Sequence, residues 1–309
     1  MWTDLKQTAY LSLTLHYVND SWELTRNLFF TSPFPKERHT GDNIRMELRR
    51  RLQQFGLPEG AFDALMFVSD RGSNMLSALK SNVHFHCFAH VINTVLQKTF
   101  QEDYLKSNLP AILSLIEECK QLVRYMKKTG LVSQLKRTLH QQAETRWNTH
   151  FDMIISIQSQ LQEIGQLLEE KNEGHRIVSL DVESLSSLAA FLKPFKQATV
   201  ETQSDAIPTF HKILLWYETL MAHCEDDDAD CPDLAALKSR SKEFLIQKLE
   251  ITVSHKIATF LDPRFRQLRM LRECERKVVK QSIKREIQPS DTRKKNIYLL
   301  SVVFDDTQI

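Results

Sequence analysis

Asp70 occupies a position in this sequence that suits chemistry on a phosphate group. It follows the apolar run Ala64–Val68, which has the length and composition of a buried central strand, so the carboxylate is expected at the strand's carboxyl end. Clustered carboxylates hold the divalent metals that assist phosphoryl transfer, and the stretch Arg71–Asn74 could add a phosphate contact. The alternative role is a helix cap after a strand, which Asp readily fills.

A second group of reactive side chains is formed by His84, His86, Cys87 and His90. The first two would share one face of a strand, and the last two would lie one helical turn apart. This spacing is not that of a paired zinc motif, and the side chains would point in different directions. We therefore expect no metal site here.

Basic residues are concentrated near the end of the chain, and their charges could meet DNA phosphates. The alternative is a solvated helix. The acidic run Glu225–Asp230 is expected to be a solvated loop, and Asp262 is expected to cap a helix. The basic series comprises Arg264, Arg266, Arg269, Arg272, Arg276, Lys277, Lys280, Lys284 and Arg285.

The composition narrows the class of protein without selecting a partner. With 309 residues, the chain can form one large domain or two ordinary ones. Lys and Arg number 41 and Asp and Glu 39, a net charge of +2 that argues neither for nor against nucleic acid. The five scattered cysteines include no CxxC pair, which favours a reducing compartment. No apolar run is long enough for a membrane span, and no P-loop or nucleophile elbow occurs.

The chain changes character near residue 105. Before it, alternation over Tyr10–Tyr17 predicts a strand, Trp22–Phe30 a second one, and the segment from Thr40 to Gly56 a helix. Strands at Ala64–Val68 and Val83–His86 alternate with further helices. After residue 105 apolar stripes at helical spacing replace the strands. We expect domains at 1–104 (mixed α/β) and 105–289 (all-helical), with 290–309 unassigned.

Four stretches resemble the hAT transposases and the BED-zinc-finger proteins derived from them. In chain order they are SDRGSNM (69–75), HCFAHVINTVL (86–96), ETRWNTHFDMI (144–154) and IATFLDPRFR (257–266). The opening WTDLKQTAYLSLTLHYVNDSWEL also resembles the first hairpin of that family. The resemblance covers roughly residues 2–270.

The resemblance implies an α/β fold: an incomplete ribonuclease-H-like mixed sheet, its first strand missing, with a large all-α insertion. The family holds two Asp and one Glu for two-metal catalysis. Asp70 matches the second of these carboxylates. The first belongs just before Trp2-Thr3, where this sequence has only Met1, and nothing after residue 270 resembles the third. We therefore expect Asp70 to be a vestigial metal-ligand position and the chain not to be an enzyme.

The resemblance also implies roles for residues away from Asp70. Cys87, His90 and Asn93 are expected to form a structural motif behind the active-site strand. Trp147, with Arg146, is expected near the catalytic pocket, either stacking on an extruded base or buried as an anchor between the two regions. The expected DNA-binding residues are Arg146, Trp147, Arg269, Arg272 and Arg276.

The function implied is that of a domesticated or degenerate transposase-like nuclear protein. It needs no cofactor of its own, although intact family members use Mg²⁺, and its DNA binding is expected to be weak and nonspecific. No membrane contact is expected. The BED zinc finger and the C-terminal dimerisation region of the family do not match this sequence. One alternative is part of an active transposase, cut short by the gene model. Another is a poorly folding fragment, because the missing strand would leave an opening in the sheet.

Overall fold

The computed structural model describes residues 2–3, 8–34, 38–58, 60–141, 147–204, 207–287 and 299–301. Up to residue 99, strands and helices alternate. In chain order they are β1 (Trp2–Thr3), β2 (Ala9–Val18), β3 (Leu24–Pro33), α1 (Gly41–Gln54), β4 (Met66–Ser69), α2 (Ser73–Leu79), β5 (Val83–His86) and α3 (Phe88–Thr99). This is the alternation predicted from the sequence, with the short β1 in addition.

The remaining elements are nearly all helices. They are α4 (Glu102–Asn108), α5 (Pro110–Lys128), α6 (Asn148–Gln158), α7 (Leu161–Glu169), α8 (His175–Val178), α9 (Val182–Thr202), α10 (Lys212–His223), α11 (Pro232–Lys248), α12 (Val253–Leu261) and α13 (Glu273–Ile287), followed by the strand β6 (Leu299–Ser301). None of the helices in the described ranges is long and apolar enough to cross a membrane.

The β2–β3 hairpin follows the alternation in the sequence. Leu11 and Leu13 point into the core and are fully buried. The turn is held by Asn19, whose side-chain oxygen accepts the backbone N–H groups of Ser21 and Glu23 at 3.0 and 2.9 Å. Pairing runs as far as Pro33, which lies opposite Tyr10, three residues beyond the predicted end of the second strand at Phe30.

Helix α1 lies within the segment predicted from Thr40 to Gly56. The Thr40 hydroxyl accepts the N–H of Asn43 at 3.3 Å and caps the first turn. Gly56 follows the helix with a φ of +85°, a left-handed conformation that costs glycine little. The apolar face of α1, with Ile44, Leu48 and Leu52, is buried in the same core as β2 and β4.

The sheet contains a strand that the sequence analysis did not predict. The tail was unassigned and an opening was expected at the first strand. Instead β6 lies between β2 and β4, antiparallel to the former and parallel to the latter. The expectation of an unfilled gap is therefore wrong for this structure. A three-residue strand carries no recognisable period, and its pairing is made by backbone groups from distant parts of the chain.

The chain divides into two compact units. The first contains residues 1–91, 204–209 and 271–309, and the second contains residues 92–203 and 210–270. The first unit holds the sheet and α13, and the second holds helices α4–α12. Compactness alone defines these units, and the domain ranges 1–104, 105–289 and 290–309 stay predictions.

The predicted helical stripes form the core of the second unit. Cys119, Val123 and Met126 of α5 are fully buried, as are Leu185 and Phe195 of α9. One apolar stripe at helical spacing is divided between α6 and α7; it consists of Ile154, Ile157, Leu161, Ile164 and Leu168. The described residues of the second unit thus form helices and no strands, which is the character expected after residue 105.

Candidate functional site

The candidate site lies at the carboxyl end of β4. Asp70 follows directly after Ser69, and its Oδ1 accepts the N–H of Gly72 at 3.0 Å. A Cβ atom on Gly72 would lie 3.1 Å from the same oxygen, so the tight turn favours glycine. Gly72, not Asp70, is the N-cap of α2. Asp70 therefore shapes the turn between strand and helix without being the N-cap, and its role as a former metal ligand stays a prediction.

Ser69 and His84 form a buried polar contact that the sequence analysis missed. The Ser69 side chain is fully buried, and its Oγ lies 2.8 Å from His84 Nε2 and donates to the carbonyl of Asp70 at 2.9 Å. Because the Ser69 hydroxyl has a single proton and donates it to the Asp70 carbonyl, its oxygen accepts a hydrogen bond from the Nε2–H of His84. The contact depends on the parallel register of β4 and β5, where Phe67 lies opposite His84.

Burial favours the neutral forms of His84 and Cys87. Burial lowers the pKa of His84 to about 4, assisted by His86, while Asp70 acts in the opposite direction. The rings of His84 and His86 meet edge to face at 5.1 Å, which confirms that they share a strand face. Burial also raises the pKa of the Cys87 thiol, so the thiol stays protonated and is a poor nucleophile at neutral pH.

The expected structural motif of Cys87, His90 and Asn93 is divided among separate contacts. The Cys87 N–H donates to the carbonyl of Ser69 at 2.7 Å and ties the start of α3 to β4. Asn93 Oδ1 accepts the backbone N–H of Trp147 at 3.3 Å. His90 is exposed on α3. These contacts support a structural role for Cys87 and Asn93.

Trp147 is buried, with 3% of its surface exposed, as expected. Its indole Nε1 is also buried, and no hydrogen-bond partner for it lies among the described residues. Such burial favours a packing role over stacking on a base, which needs an open ring face, while an anchor between the two regions stays a prediction. Arg146 lies outside the described residues. Proximity of Trp147 to Asp70 stays a prediction, because the two residues belong to different units.

The donor set around Asp70 does not fit a two-metal centre. In the described part of the chain no three His, Cys, Asp or Glu side chains are arranged to hold a metal ion. Asp70 supplies one carboxylate, with one oxygen already accepting the Gly72 N–H. Two metals a few ångström apart need several carboxylates between them. The described side chains around Asp70 therefore do not form a two-metal site by themselves.

The basic series at 264–285 is not one helix. Arg264 and Arg269 precede α13, which begins at Glu273, so the helical interpretation of the series was wrong for its first part. Arg264 forms an ion pair with Asp262, the C-cap of α12, and this pair lowers the pKa of Asp262 to about 2. The proposed DNA-binding residues are also divided, because Arg269 belongs to the second unit and Arg272 and Arg276 to the first.

Ion pairs neutralise part of the remaining positive charge. Arg272 pairs with Glu275, whereas no described carboxylate forms an ion pair with Arg269 or Arg276. On α1, Arg45 and Arg49 contact Asp63, and both Arg50 and Arg51 contact Glu47. Four arginines thus share two carboxylates, which leaves a net charge of +2 among these six side chains.

Comparison with known proteins agrees with this geometry. Residues 1–92, which include the turn at Asp70, match the family model described as the ZBED1 RNase-like domain. The Hobo transposase of Drosophila melanogaster, a transposable-element protein, is 28% identical over 266 residues, covering 85% of this chain and 39% of the relative.

Two human proteins are similar over shorter segments. Zinc finger protein 618 is 24% identical over 228 residues, covering 73% of this chain and 23% of its own length. Zinc finger BED domain-containing protein 4 is 26% identical over 218 residues, covering 65% and 18%. The chain thus spans less than half of each of these relatives. Together with the family model, they support a hAT-derived, BED-type transposase-like protein.

Proposed function

We propose that this chain is a degenerate ribonuclease-H-like transposase domain with an all-helical insertion, without nuclease activity of its own. The observation that carries the proposal is that, among the described residues, Asp70 at the end of β4 belongs to no group of three His, Cys, Asp or Glu side chains that could hold a metal ion. The resemblance makes Asp70 the second of three carboxylates that the family uses for two-metal catalysis. Loss of ligands removes both activation of the nucleophile and stabilisation of the leaving oxygen.

The purified chain is expected to leave supercoiled plasmid intact in Mg²⁺ or Mn²⁺. The reason is that a single carboxylate cannot position two metal ions around a phosphate. Agarose-gel analysis of plasmid nicking over several hours is the measurement.

The matched controls are Asp70→Ala and Asp20→Ala, the second at an exposed carboxylate in the hairpin turn. Nicking that persists equally in both variants would indicate a contaminating nuclease. Nicking that disappears in Asp70→Ala and persists in Asp20→Ala would show that the chain is a nuclease after all.

The proposed activity is weak, sequence-tolerant contact with DNA in the nucleus. Support comes from the relationship to a transposase and from basic residues that the described carboxylates leave unneutralised. Arg269 is exposed, and its Nε donates only to the neutral Gln267, at 2.7 Å, among the described contacts. Phosphate contacts of this type position a protein on DNA without reading bases.

Affinity for duplex DNA is expected to fall roughly a thousandfold between 50 and 200 mM salt if about six basic side chains contact phosphates. Random and specific duplexes should bind alike. The combined replacement of Arg269, Arg272 and Arg276 by Ala should flatten the dependence of log Kd on log salt concentration by up to about 2.7, or ~0.9 for each arginine removed from a phosphate. Fluorescence anisotropy of a labelled duplex at several salt concentrations measures the slope.

A variant with the same loss of charge elsewhere is the control. Lys106, Lys136 and Lys242 lie on the helical unit, each paired with a Glu, and their replacement by Ala also removes three positive charges. An equal reduction of the slope in both triple variants would mean that net charge, not this segment, governs binding. Tight, salt-insensitive binding to one sequence would require a recognition element of another kind.

A second candidate function is part of an active, metal-dependent transposase. Its support is the coverage, since the similarity extends over 85% of this chain but only 39% of the Hobo transposase. The genomic sequence on both sides of the reading frame separates the two functions. An upstream strand ending in Asp and a downstream helix carrying Glu would favour the active enzyme.

A further inference from the structure

Two separate strands, β1 and β6, pair one after the other with the same edge of β2, the edge that faces β4. Tyr10 pairs with Trp2 of β1 on this side and with Pro33 of β3 on the other. Four residues further along, Thr14 pairs with Ser301 of β6 on this side and with Leu28 of β3 on the other. Both β1 and β6 run antiparallel to β2, so they share one direction and one row.

The register shows how the two strands would join. Along an uninterrupted antiparallel pair of strands, the numbers of two partner residues always add to the same sum. This sum is 12 for β1 with β2 (Trp2 and Tyr10) and 315 for β6 with β2 (Ser301 and Thr14). The difference is 303, so Val303 would stand immediately before Met1 if one continuous strand followed this register. A segment placed directly in front of Trp2 would therefore occupy the row that β6 occupies.

Strand β6 connects the two halves of the sheet. In the described part of the chain β2 and β4 do not pair with each other, and β6 lies between them. The backbone of β6 pairs with Thr14–His16 of β2 on one side and with Met66–Val68 of β4 on the other. Without an occupant these segments would lose backbone partners on both edges of the gap, next to the buried Leu13 and Phe67.

We propose that the gap between β2 and β4 is a strand-binding site for one extended peptide segment, occupied in this chain by its own residues Leu299–Ser301. The site recognises backbone hydrogen-bonding groups in a fixed register, as in recognition by strand addition. It is independent of the proposed DNA contact. The segment that occupies the gap, Leu299–Ser301, follows α13 in the chain. By the register of β1, a segment directly preceding Trp2 would pair with the same edge of β2.

Leu300→Pro in the full chain tests the occupant. Proline removes the N–H that the central position of the strand requires and fixes φ, so pairing with Leu15 and Phe67 fails. Amide hydrogen exchange of the peptide covering β2 should become about a hundredfold faster. Leu300→Val, which keeps the N–H, should leave exchange of that peptide unchanged, and α5 serves as the internal reference.

A transplanted strand tests the register independently of misfolding. Residues 288–309 are deleted, and Leu299–Val303 are joined directly before Met1, which restores the same row from the other end of the chain. Exchange at β2 should return to within about threefold of the original chain. Insertion of one serine between Val303 and Met1 reverses the faces of the strand and should abolish this recovery.

The outcomes are distinguishable. Fast exchange in Leu300→Pro, with recovery only in the in-register transplant, supports the strand-binding site. Unchanged exchange in Leu300→Pro, or the same exchange in the two transplants, overturns it.

Discussion

Replacement of Trp147 by alanine is expected to lower the free energy of unfolding by about 3–5 kcal/mol, the usual cost of deleting a large buried aromatic side chain. The ring is 3% exposed, and the helical unit around it is closely packed with leucine, isoleucine and phenylalanine. The variant loses stability because alanine leaves a cavity in this packing and buries less apolar surface. Urea unfolding followed by far-ultraviolet circular dichroism measures the change.

Trp147→Phe separates packing from base stacking. Phenylalanine keeps most of the ring and removes the indole N–H, which has no partner among the described residues, so its cost should be well below that of alanine. If Trp147 instead stacks on DNA, Trp147→Ala should weaken DNA binding while leaving the urea midpoint near that of the original chain. That result would contradict the anchoring role.

Loss of the carboxylate in Asp230→Ala should destabilise the chain by about 3–5 kcal/mol, because it leaves a buried ammonium without its partner. Lys238 and Asp230 form an ion pair in which only 11% and 9% of the two side chains are exposed. Burying a charge is tolerated when it is paired and becomes expensive when the partner is removed. The urea midpoint is again the measurement.

Two variants define what this pair contributes. The double replacement Asp230→Asn with Lys238→Met removes both charges and should recover most of the lost stability, since a neutral pair has no uncompensated charge. Glu225→Ala breaks the exposed pair with Lys242 and should leave the midpoint unchanged. Equal destabilisation by Asp230→Ala and the double variant would show that packing, not charge, is responsible.

Local patterns in the sequence predicted much of the mixed α/β region. The period of two in β2 and the Thr40 cap and Gly56 terminus of α1 are properties of a few neighbouring residues. The buried run before Asp70 likewise predicted β4, although the strand starts at Met66 and includes Ser69. These elements were predictable because each carries its own pattern.

Features that depend on distant partners were not predictable in the same way. The contact between Ser69 and His84 requires the register of two parallel strands, which no local pattern reveals. Asp230 belongs to a run of acidic residues that was expected to be solvated. Instead it forms a largely buried ion pair with Lys238 of α11. The rest of that run, from Glu225 to Ala229, is exposed as expected.

The position of β6 has a consequence for the order in which the protein is made. Strand β5 ends at His86 and β6 begins at Leu299, so more than 200 residues are synthesised between them. At about 5–20 residues per second, the ribosome needs roughly 10–40 s for this interval. During that time the helical unit can fold, while the edges of β2 and β4 that border the gap have no strand to pair with. Nascent chains arrested before residue 299 should therefore bind chaperones through the region of β2 and β4.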